Sequence, residues 1–331
     1  MNAFGTLFRV SIFGESHGPC VGITIDGCPA GLSLTEADLL PDLERRKGGT
    51  QKGTTPRQEA DYPIFKSGLF QEKTTGFPIT IFFENNNTRS EDYQKQRSFP
   101  RPGHADMTAH QKFGGNEDYR GGGHFSARLT TGLVAAGAIA KKLMPAVSIV
   151  ATITEIAGEQ DLEKGLQKAI DAKDSVGGIV ECRVKGLPAG LGEPYFQSVE
   201  SVLAQIIFAV PAVRGIEFGT GFAAARMFGS EHNDAIMDDR GTTKTNHAGG
   251  VVGGITNGNE LVFRLAIKPT SSTPKEQVSL NWDTGKAEAF SIKGRHDLCV
   301  ALRAPVIIEA VTAIVLADFM LREQKIKRVL D

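Results

Sequence analysis

Alternating apolar and polar positions along several stretches of the chain predict β-strands, because successive side chains of a strand face opposite sides. The run LFRVSI, which leads into FGESHG, has this pattern, and FPITIFFEN at 77–85 is a second such run. Four later runs are also interpreted as strands, at 146–158, 178–188, 214–219 and 260–270.

Helical spacing of apolar residues and longer apolar runs predict helices among these strands. The first begins at Thr35 with Asp38 three residues on, close to a capping box, and it contains Pro41, which can shorten or kink it. The predicted helices span 35–46, 129–144, 161–172, 196–210 and 303–327. This order of elements lacks strict βαβ alternation and favours a mixed α+β fold. No linker rich in proline and serine interrupts it, so 1–331 is interpreted as a single domain.

Residues 86–123 are polar and rich in glycine, and they show no clear period. A loop of this length inside a compact domain is usually functional or disordered. Glycine is frequent in the whole chain, with 38 residues, and it clusters in RKGGTQKG, KFGGNEDYRGGGH and NHAGGVVGG. Such clusters indicate ordered loops that close over a ligand, or simple flexibility.

The composition is that of an ordinary soluble globular protein, with 40% hydrophobic residues, 23% charged residues and a formal net charge of −1. This charge excludes nucleic-acid binding by bulk charge. No apolar run is expected to approach the roughly 18 residues of a membrane span, and the N-terminus lacks a signal-peptide pattern. The four cysteines show no CxxC spacing, which indicates a reducing compartment and a cytoplasmic protein. They are Cys20, Cys28, Cys182 and Cys299.

Two common ligand motifs are weak or absent. The P-loop pattern GxxxxGK[ST] does not occur. GTGFAAAR at 219–226 has the form GxGxxA after a predicted strand, but no clear acidic strand end follows about 20 residues on, as a dinucleotide site requires. His104 and His110 are candidate metal ligands, yet no further cysteine or histidine has a supporting spacing, so no metal site is predicted.

Three sets of basic residues stand out against the near-zero net charge. Arginine binds phosphate or carboxylate through two parallel hydrogen bonds, and backbone N–H groups of glycine loops add further donors. One such set alone is more often a solvated loop, but three sets framed by Gly, Pro or Ser predict a small ligand with several negative charges. The sets are Arg45, Arg46, Lys47, Lys52 and Arg57; then Arg101, Arg120 and Arg128; then Lys268, Lys293 and Arg295.

The stretch FGESHG places Glu15, Ser16 and His17 at the end of the first predicted strand, before Gly18. Glycine lets the backbone turn sharply or approach a ligand closely, and an imidazole titrates near neutral pH and suits proton transfer. A polar loop after an edge strand is the alternative interpretation. Five of the seven histidines lie beside glycine or a charged residue in loop-like surroundings: His17, His104, His124, His247 and His296.

FGESHG, RPGHADMT, YRGGGHFSAR, KPTSS and GRHDLC occur here in the order found in the chorismate synthase family, which the chain resembles over nearly its whole length. VPAGLGEP at 187–194, NHAGGVVGG at 246–254 and the final helix extend the resemblance. Several separated motifs in the right order make it specific, although no single one would. The resemblance implies a βαβ sandwich, with helices packed between antiparallel sheets, and a homotetramer.

The resemblance also implies an activity, the conversion of 5-enolpyruvylshikimate-3-phosphate to chorismate and phosphate in the shikimate pathway of aromatic amino-acid biosynthesis. This is an anti-1,4-elimination in which phosphate leaves C3 and a hydrogen leaves C6. It needs reduced FMN without net redox change, because the flavin donates electron density as phosphate departs and then recovers it. Some family members reduce FMN with NADPH, but no added reductase domain is present here. The protein is therefore expected to be monofunctional and to depend on an external flavin reductase.

Roles carry over by motif as implications of the resemblance. His17 resembles the histidine that protonates the departing phosphate, His104 the histidine near the flavin pyrimidine edge, and Asp297 the aspartate that helps flavin N5 accept the C6 proton. The residues expected to bind substrate are Ser16, Arg46, Lys52, Arg101 and Arg128, with Arg295 assigned to substrate anions and cofactor. The residues expected to contact FMN are His124, Phe125, Ser126, Pro211, Ala212, Gly253, Lys268, Pro269, Thr270, Ser271 and Ser272.

The sequence departs from the family at three places. The family usually has Arg-Ser-Ser where His124, Phe125 and Ser126 stand, often Arg in place of Lys52, and usually Pro in place of Leu298. Lysine lacks the two-pronged geometry of arginine.

Two other classes of protein stay open as alternatives. One is a non-catalytic relative that binds FMN or phosphate without turnover, and the other is a flavin oxidoreductase that oxidises its flavin with another shikimate-like acid.

Overall fold

The computed structural model describes residues 2–49, 52–55, 59–87, 98–292 and 296–330. In chain order the described strands are β1 (Ala3–Phe4), β2 (Arg9–Gly14), β3 (Cys20–Asp26), β4 (Ile64–Ser67), β5 (Leu69–Phe70), β6 (Lys73–Thr74), β7 (Ile79–Glu84), β8 (Ser148–Ile156), β9 (Gly178–Lys185), β10 (Val213–Phe218), β11 (Val251–Val252), β12 (Ile255–Thr256), β13 (Leu261–Ile267), β14 (Gln277–Asn281) and β15 (Lys286–Phe290). The described α-helices are α1 (Leu40–Arg46), α2 (Asp106–Phe113), α3 (Thr130–Leu143), α4 (Leu162–Ala172), α5 (Val199–Ile207), α6 (Gly229–His232) and α7 (Ala304–Arg322).

Two antiparallel sheets form the outer layers of the fold. The first has the strand order β1-β2-β3-β7-β4, and the second has the order β10-β13-β9-β8. Each sheet has one buried face, because alternate side chains of a strand point to the same side. In the first sheet, Ile79, Ile81 and Phe83 of β7 are buried together on that face. In the second sheet Leu261 and Phe263 of β13 are buried in the same way.

Helices α3 and α7 pack against each other between the sheets, with α3 on the first sheet and α7 on the second. At Gly137 of α3, an added Cβ would lie 2.3 Å from the Cα of Ala310 in α7, so this glycine permits the close approach of the two helices. The predicted α+β sandwich, with helices between antiparallel sheets, is confirmed.

Helix α7 is buried along most of its length and is apolar on nearly all sides, as expected of a helix that crosses a core. The segment Val300–Arg322 is long and apolar enough to cross a membrane by length and composition. The prediction that no apolar run approaches this length is therefore wrong. In the fold, 78% of its apolar window is buried inside the protein.

Two buried carboxylates on α7 fix neighbouring elements to the core. Glu309 accepts hydrogen bonds from Arg45 of α1 at 2.7 Å and from Lys141 of α3 at 2.9 Å. Burial alone would raise the pKa of Glu309, but these hydrogen bonds outweigh it and lower the pKa below its ordinary value. The three helices are thus joined by one ion-pair network around the buried carboxylate of Glu309.

Asp318 holds the segment before β2, because one of its carboxylate oxygens accepts the backbone N–H groups of Thr6, Leu7 and Phe8 at 3.0, 2.6 and 2.8 Å. We expect Asp318→Ala to lower the free energy of unfolding by about 3 kcal/mol, since hydrogen bonds to charged groups are strong and their loss leaves the buried N–H of Phe8 unpaired. Urea denaturation measures the change. Asp239→Ala, at an exposed position, is the control. Equal stability of the two variants would contradict the expected role.

The predicted elements match the described ones in position, with two kinds of exception. The helix predicted at 35–46 begins with a separate 3-10 turn, Glu36–Asp38, because Pro41 lies in the first turn of α1. The stretch at 86–123 was predicted to lack regular structure, but its described part contains α2. The hairpin of β14 and β15 was also not predicted. Neither were β3, in the middle of the first sheet, β4 at its edge, and the two-residue strands β1, β5, β6, β11 and β12.

Candidate active site

A cleft of about 750 Å³ brings together distant segments of the chain. Apolar side chains of β2 and α3, including Val10, Ile12 and Leu133, form one part of its wall, and charged or hydroxyl-bearing side chains form the rest. The volume lies in the range of about 300–1,000 Å³ that is usual for ligand pockets. Such a wall suits a ligand with an apolar ring and anionic groups.

Most of the residues predicted for the site line this one cleft, and each of the three basic sets contributes at least one residue to its wall. Arg45, Arg120 and the predicted catalytic His17 lie off the wall. The predicted residues on its wall are Ser16, Arg46, Arg101, His104, His124, Phe125, Ser126, Arg128, Pro211, Ala212, Lys268, Pro269, Thr270, Ser271, Ser272 and Asp297. Lys52 is exposed and lies off the wall. Gly253 lies in the turn between β11 and β12, also off the wall. Arg57, Lys293 and Arg295 lie outside the described residues.

His17 lies behind a turn of three consecutive glycines and is only 8% exposed. At Gly121, with φ of +59°, an added Cβ would lie 2.3 Å from Cε1 and Nδ1 of His17. At Gly122, an added Cβ would lie 3.0 Å from Cε1 of His104. The turn therefore lies between the two histidines, with its backbone in contact with both rings. Only glycine gives the required left-handed backbone without a side chain in this space.

Arg101 and His104 share a carboxylate, that of Asp106. Arg101 donates to both oxygens of Asp106, from Nε at 2.7 Å and from Nη2 at 2.8 Å, and it also reaches Ser272 at 3.3 Å. Nδ1 of His104 lies 2.5 Å from Asp106. Burial would raise the pKa of Asp106, but these hydrogen bonds hold it far below its ordinary value. The sequence prediction missed Asp106, although it lies within RPGHADMT.

Arg46 and Arg128 are both buried and contact opposite oxygens of one buried carboxylate, Asp61. Arg46 also donates to Thr130 at 3.0 Å, and Arg128 donates to Asn85 at 2.9 Å. Burial, and then the nearby guanidinium groups, lower the pKa of Arg46 to about 9, so it remains charged at neutral pH. Asp61 was not predicted, because nothing in the sequence places it beside two distant arginines.

Asp297 is held at the cleft by two partners. Its carboxylate accepts the backbone N–H of Thr55 at 2.7 Å and lies 3.4 Å from Nη1 of Arg303. Arg303 also donates to the carbonyl of Arg46 at 3.0 Å, which adds an unpredicted cation to the arginine cluster.

Leu298 stands where the family usually has proline. Its N–H donates to the carbonyl of Gly53 at 2.9 Å, a hydrogen bond that proline could not form.

His296 lines the same cleft, but its Nε2 is buried and has no hydrogen-bond partner among the described residues. Burial, and then the charge of Arg101, lower the pKa of His296 to about 4. The imidazole is thus neutral at physiological pH. A buried polar atom without a partner at a cleft wall is suited to a ligand that supplies one.

The segment 124–126, which departs from the family pattern, makes specific contacts. Nδ1 of His124 lies 2.9 Å from the carbonyl of Gly14, so that nitrogen carries the proton. The Phe125 ring is half-exposed at the cleft. Ser126 accepts the N–H of Arg128 at 3.3 Å and caps a short 3-10 turn. His124 therefore anchors the glycine turn to the end of β2.

Lys268 and Ser271 join two loops on the opposite part of the wall. Nζ of Lys268 donates to the carbonyl of Gly103 at 2.7 Å and to Ser271 at 2.8 Å. Burial, and then the charge of Arg214, lower the pKa of Lys268. Within the described residues, no three His, Cys, Asp or Glu side chains are grouped so that they could hold a metal ion.

The structure defines an α+β protein with a large cleft lined by several cationic side chains, and comparisons with known proteins identify the family. The chorismate synthase family profile matches residues 8–321. A chorismate synthase of Chitinophaga pinensis is 68% identical over 330 residues, covering 99% of each chain. One from Dehalococcoides mccartyi is 43% identical over 360 aligned positions, again covering 99% of each.

A crystal structure of chorismate synthase is also similar, with a TM-score of 0.74 and 26% sequence identity, over 96% of this chain and 93% of that one. The chain belongs to the chorismate synthase family, and it is accordingly a lyase.

Proposed function

We propose that the protein converts 5-enolpyruvylshikimate-3-phosphate to chorismate and phosphate by anti-1,4-elimination, with reduced FMN bound in the same cleft. The observation that carries this proposal is the convergence of five arginines and two lysines on one cleft in a chain whose net charge is −1. They are Arg46, Arg101, Arg128, Arg214, Arg303, Lys47 and Lys268. A substrate with two carboxylates and a phosphate needs such a local concentration of cations.

The residues of the cleft fit a flavin mononucleotide. The apolar wall at Val10, Ile12 and Leu133 suits an aromatic ring system, and the hydroxyls of Ser271 and Ser272 with Lys268 suit a phosphate. Reduced flavin, when bound, supplies electron density to the allylic system and takes it back. Gly253 and Arg295 remain predicted FMN contacts on the family resemblance alone.

The protein's own groups then bind, orient and move protons. We assign to His17 the proton given to the departing phosphate; the glycine turn covers its ring and limits the access of water. His104, fixed through Nδ1, would face the flavin. Asp297 would assist proton removal at C6, with Thr55 and Arg303 holding its carboxylate in place. Lys52, which is exposed, would add to the field around the substrate.

We also propose that the chain acts as a single domain in a cytoplasmic homotetramer, with reduced FMN supplied by an external reductase. Several aromatic side chains among the described residues are largely exposed in the single chain, and contacts between subunits would bury them. The most exposed are Tyr195 at 85%, Phe196 at 91%, Phe222 at 79% and Phe228 at 76% exposure.

An anaerobic assay tests the function. Purified protein, dithionite-reduced FMN and 5-enolpyruvylshikimate-3-phosphate are mixed, and chorismate absorbance and phosphate release are followed together. We expect equal amounts of both products, flavin that is still reduced at the end, and no reduction of FMN by NADPH with the protein alone.

The other outcomes each have a meaning. Tight FMN binding without product would indicate a non-catalytic relative, and substrate-dependent net oxidation of the flavin would indicate an oxidoreductase. Appreciable FMN reduction by NADPH would contradict the dependence on an external reductase.

A further inference from the structure

Asp106 is the first residue of α2, and its carboxylate faces two residues of the cleft wall. One oxygen accepts from Nη2 of Arg101 at 2.8 Å and lies 2.5 Å from Nδ1 of His104. The other oxygen accepts from Nε and from the backbone N–H of Arg101, at 2.7 and 3.0 Å. Arg101 therefore donates hydrogen bonds to both carboxylate oxygens of Asp106 and fixes their orientation toward His104.

These distances decide which nitrogen of His104 carries the proton. An ionised carboxylate is only an acceptor, so Nδ1 at 2.5 Å from it must be a donor. Nη2 of Arg101 lies 3.0 Å from the same Nδ1, but both atoms donate to one oxygen of Asp106. The contact between the two nitrogens is then the third side of a triangle around that oxygen rather than a hydrogen bond.

With the proton fixed on Nδ1, the other ring nitrogen is left for ligands. Within the described part of the chain, His104 makes no hydrogen bond through Nε2. An added Cβ on Gly122 would lie 3.2 Å from Nε2, so this nitrogen lies next to the glycine turn on the cleft wall. Neutral His104 therefore offers a lone pair there, and protonated His104 offers an N–H.

We propose that Asp106 is a positioning residue that fixes the Nδ1–H tautomer and the ring orientation of His104, so that Nε2 is presented to the bound ligands. The same carboxylate holds Arg101 in the cleft. The relevance of this arrangement to turnover rests on the proposed function, whereas the tautomer is a property of the free protein. Replacing a carboxylate that orients a metal-binding histidine typically costs about 10–100-fold in activity, and we expect a loss of the same order here.

A merely structural role for Asp106 would have different consequences. An acidic residue in the first turn of a helix stabilises that helix through its dipole, wherever the histidine points. Loss of that contribution would lower stability and leave the tautomer of His104 unchanged. The experiment therefore needs a direct measurement on the imidazole.

The test compares Asp106→Asn with wild type by ¹⁵N NMR of histidine-labelled, ligand-free protein at alkaline pH, where imidazoles are neutral. The signals of His104 are assigned by their loss in His104→Gln. We expect the Nδ1–H form in wild type, a large population of the Nε2–H form in Asp106→Asn, and a fall in kcat of about 10–100-fold in the anaerobic assay.

Glu117→Gln is the matched control, because Glu117 faces another histidine, His110 of α2, at 3.4 Å. It should change neither the tautomer of His104 nor kcat. An Nε2–H form of His104 in wild type would overturn the proposal, even if Asp106→Asn fails to fold. An unchanged tautomer in Asp106→Asn would overturn it too, whatever happens to kcat. Because NMR uses free protein, a wild type without synthase activity would defeat the proposed function and leave the tautomer measurable.

Discussion

Gly121→Ala is expected to lower kcat of the elimination by about 10²–10³, approaching the effect of removing His17 itself. The new Cβ would lie 2.3 Å from two atoms of the His17 ring and 3.0 Å from the Ser16 hydroxyl, so the ring must move. A correctly placed general acid contributes about 10²–10⁴-fold, and most of this is lost when its position changes. Alanine at a φ of +59° adds about 1 kcal/mol of backbone strain.

Gly158→Ala is the control that separates displacement of the His17 ring from the backbone strain of alanine at a positive φ. Gly158 has a φ of +79°, but an added Cβ there would meet nothing within 4 Å. Both variants should lose the stability that backbone strain costs, and Gly121→Ala should lose more because of its clash with His17. Only Gly121→Ala should lose activity in single-turnover measurements with reduced FMN. If Gly121→Ala turned over within twofold of wild type, the glycine turn would not position His17 for catalysis.

The glycine turn also shows how far the sequence could go in predicting the site. Both histidines and the RGGGH segment could be recognised as functional, because their residue types and order are specific. Their arrangement around Gly121 and Gly122 could not, since His17 and His104 come from distant parts of the chain. A left-handed φ and a 2.3 Å approach exist only after the chain has folded.

The same reasoning holds for the fold. The strongly periodic strands and the apolar helices α3 and α7 were predicted because burial on one or both faces leaves a clear pattern in the sequence. Helix α2 was missed because its eight residues, DMTAHQKF, carry little apolar periodicity. Its first residue, Asp106, does leave a signal: an acid two residues after His104 and five after Arg101.

The arginine cluster attracts anions mainly through its summed charge. Most donors of Arg46 and Arg128 already reach acceptors within the protein, among them Asp61, Thr130 and Asn85. With Arg303 and Asp297 included, this cluster holds three cations against two carboxylates, a local excess of one positive charge. In a partly buried cleft such an excess acts more strongly than it would at the surface. The Asp61 carboxylate is thus the shared counterion of two buried guanidinium groups, those of Arg46 and Arg128.

Asp61→Ala is accordingly expected to lower the free energy of unfolding by about 3–5 kcal/mol, because it leaves Arg46 and Arg128 buried without their shared counterion. It also opens a space where a small anion can bind both guanidinium groups. Inorganic phosphate should therefore raise the melting temperature of Asp61→Ala more than that of wild type, since a ligand of the native state stabilises it by mass action. Thermal unfolding with increasing phosphate, at constant ionic strength, measures this difference.

Glu309→Ala is the matched control for that experiment. It also removes a buried carboxylate from two cations, Arg45 and Lys141, but at a site away from the wall of the cleft. It should lose less stability, because Arg45 and Lys141 are partly exposed to solvent, and it should gain no extra stabilisation from phosphate. Equal phosphate responses of the two variants would mean that Arg46 and Arg128 hold the structure together without binding anions. A selective response of Asp61→Ala would establish that this arginine pair binds phosphate once its carboxylate is removed, as a substrate-binding pair should.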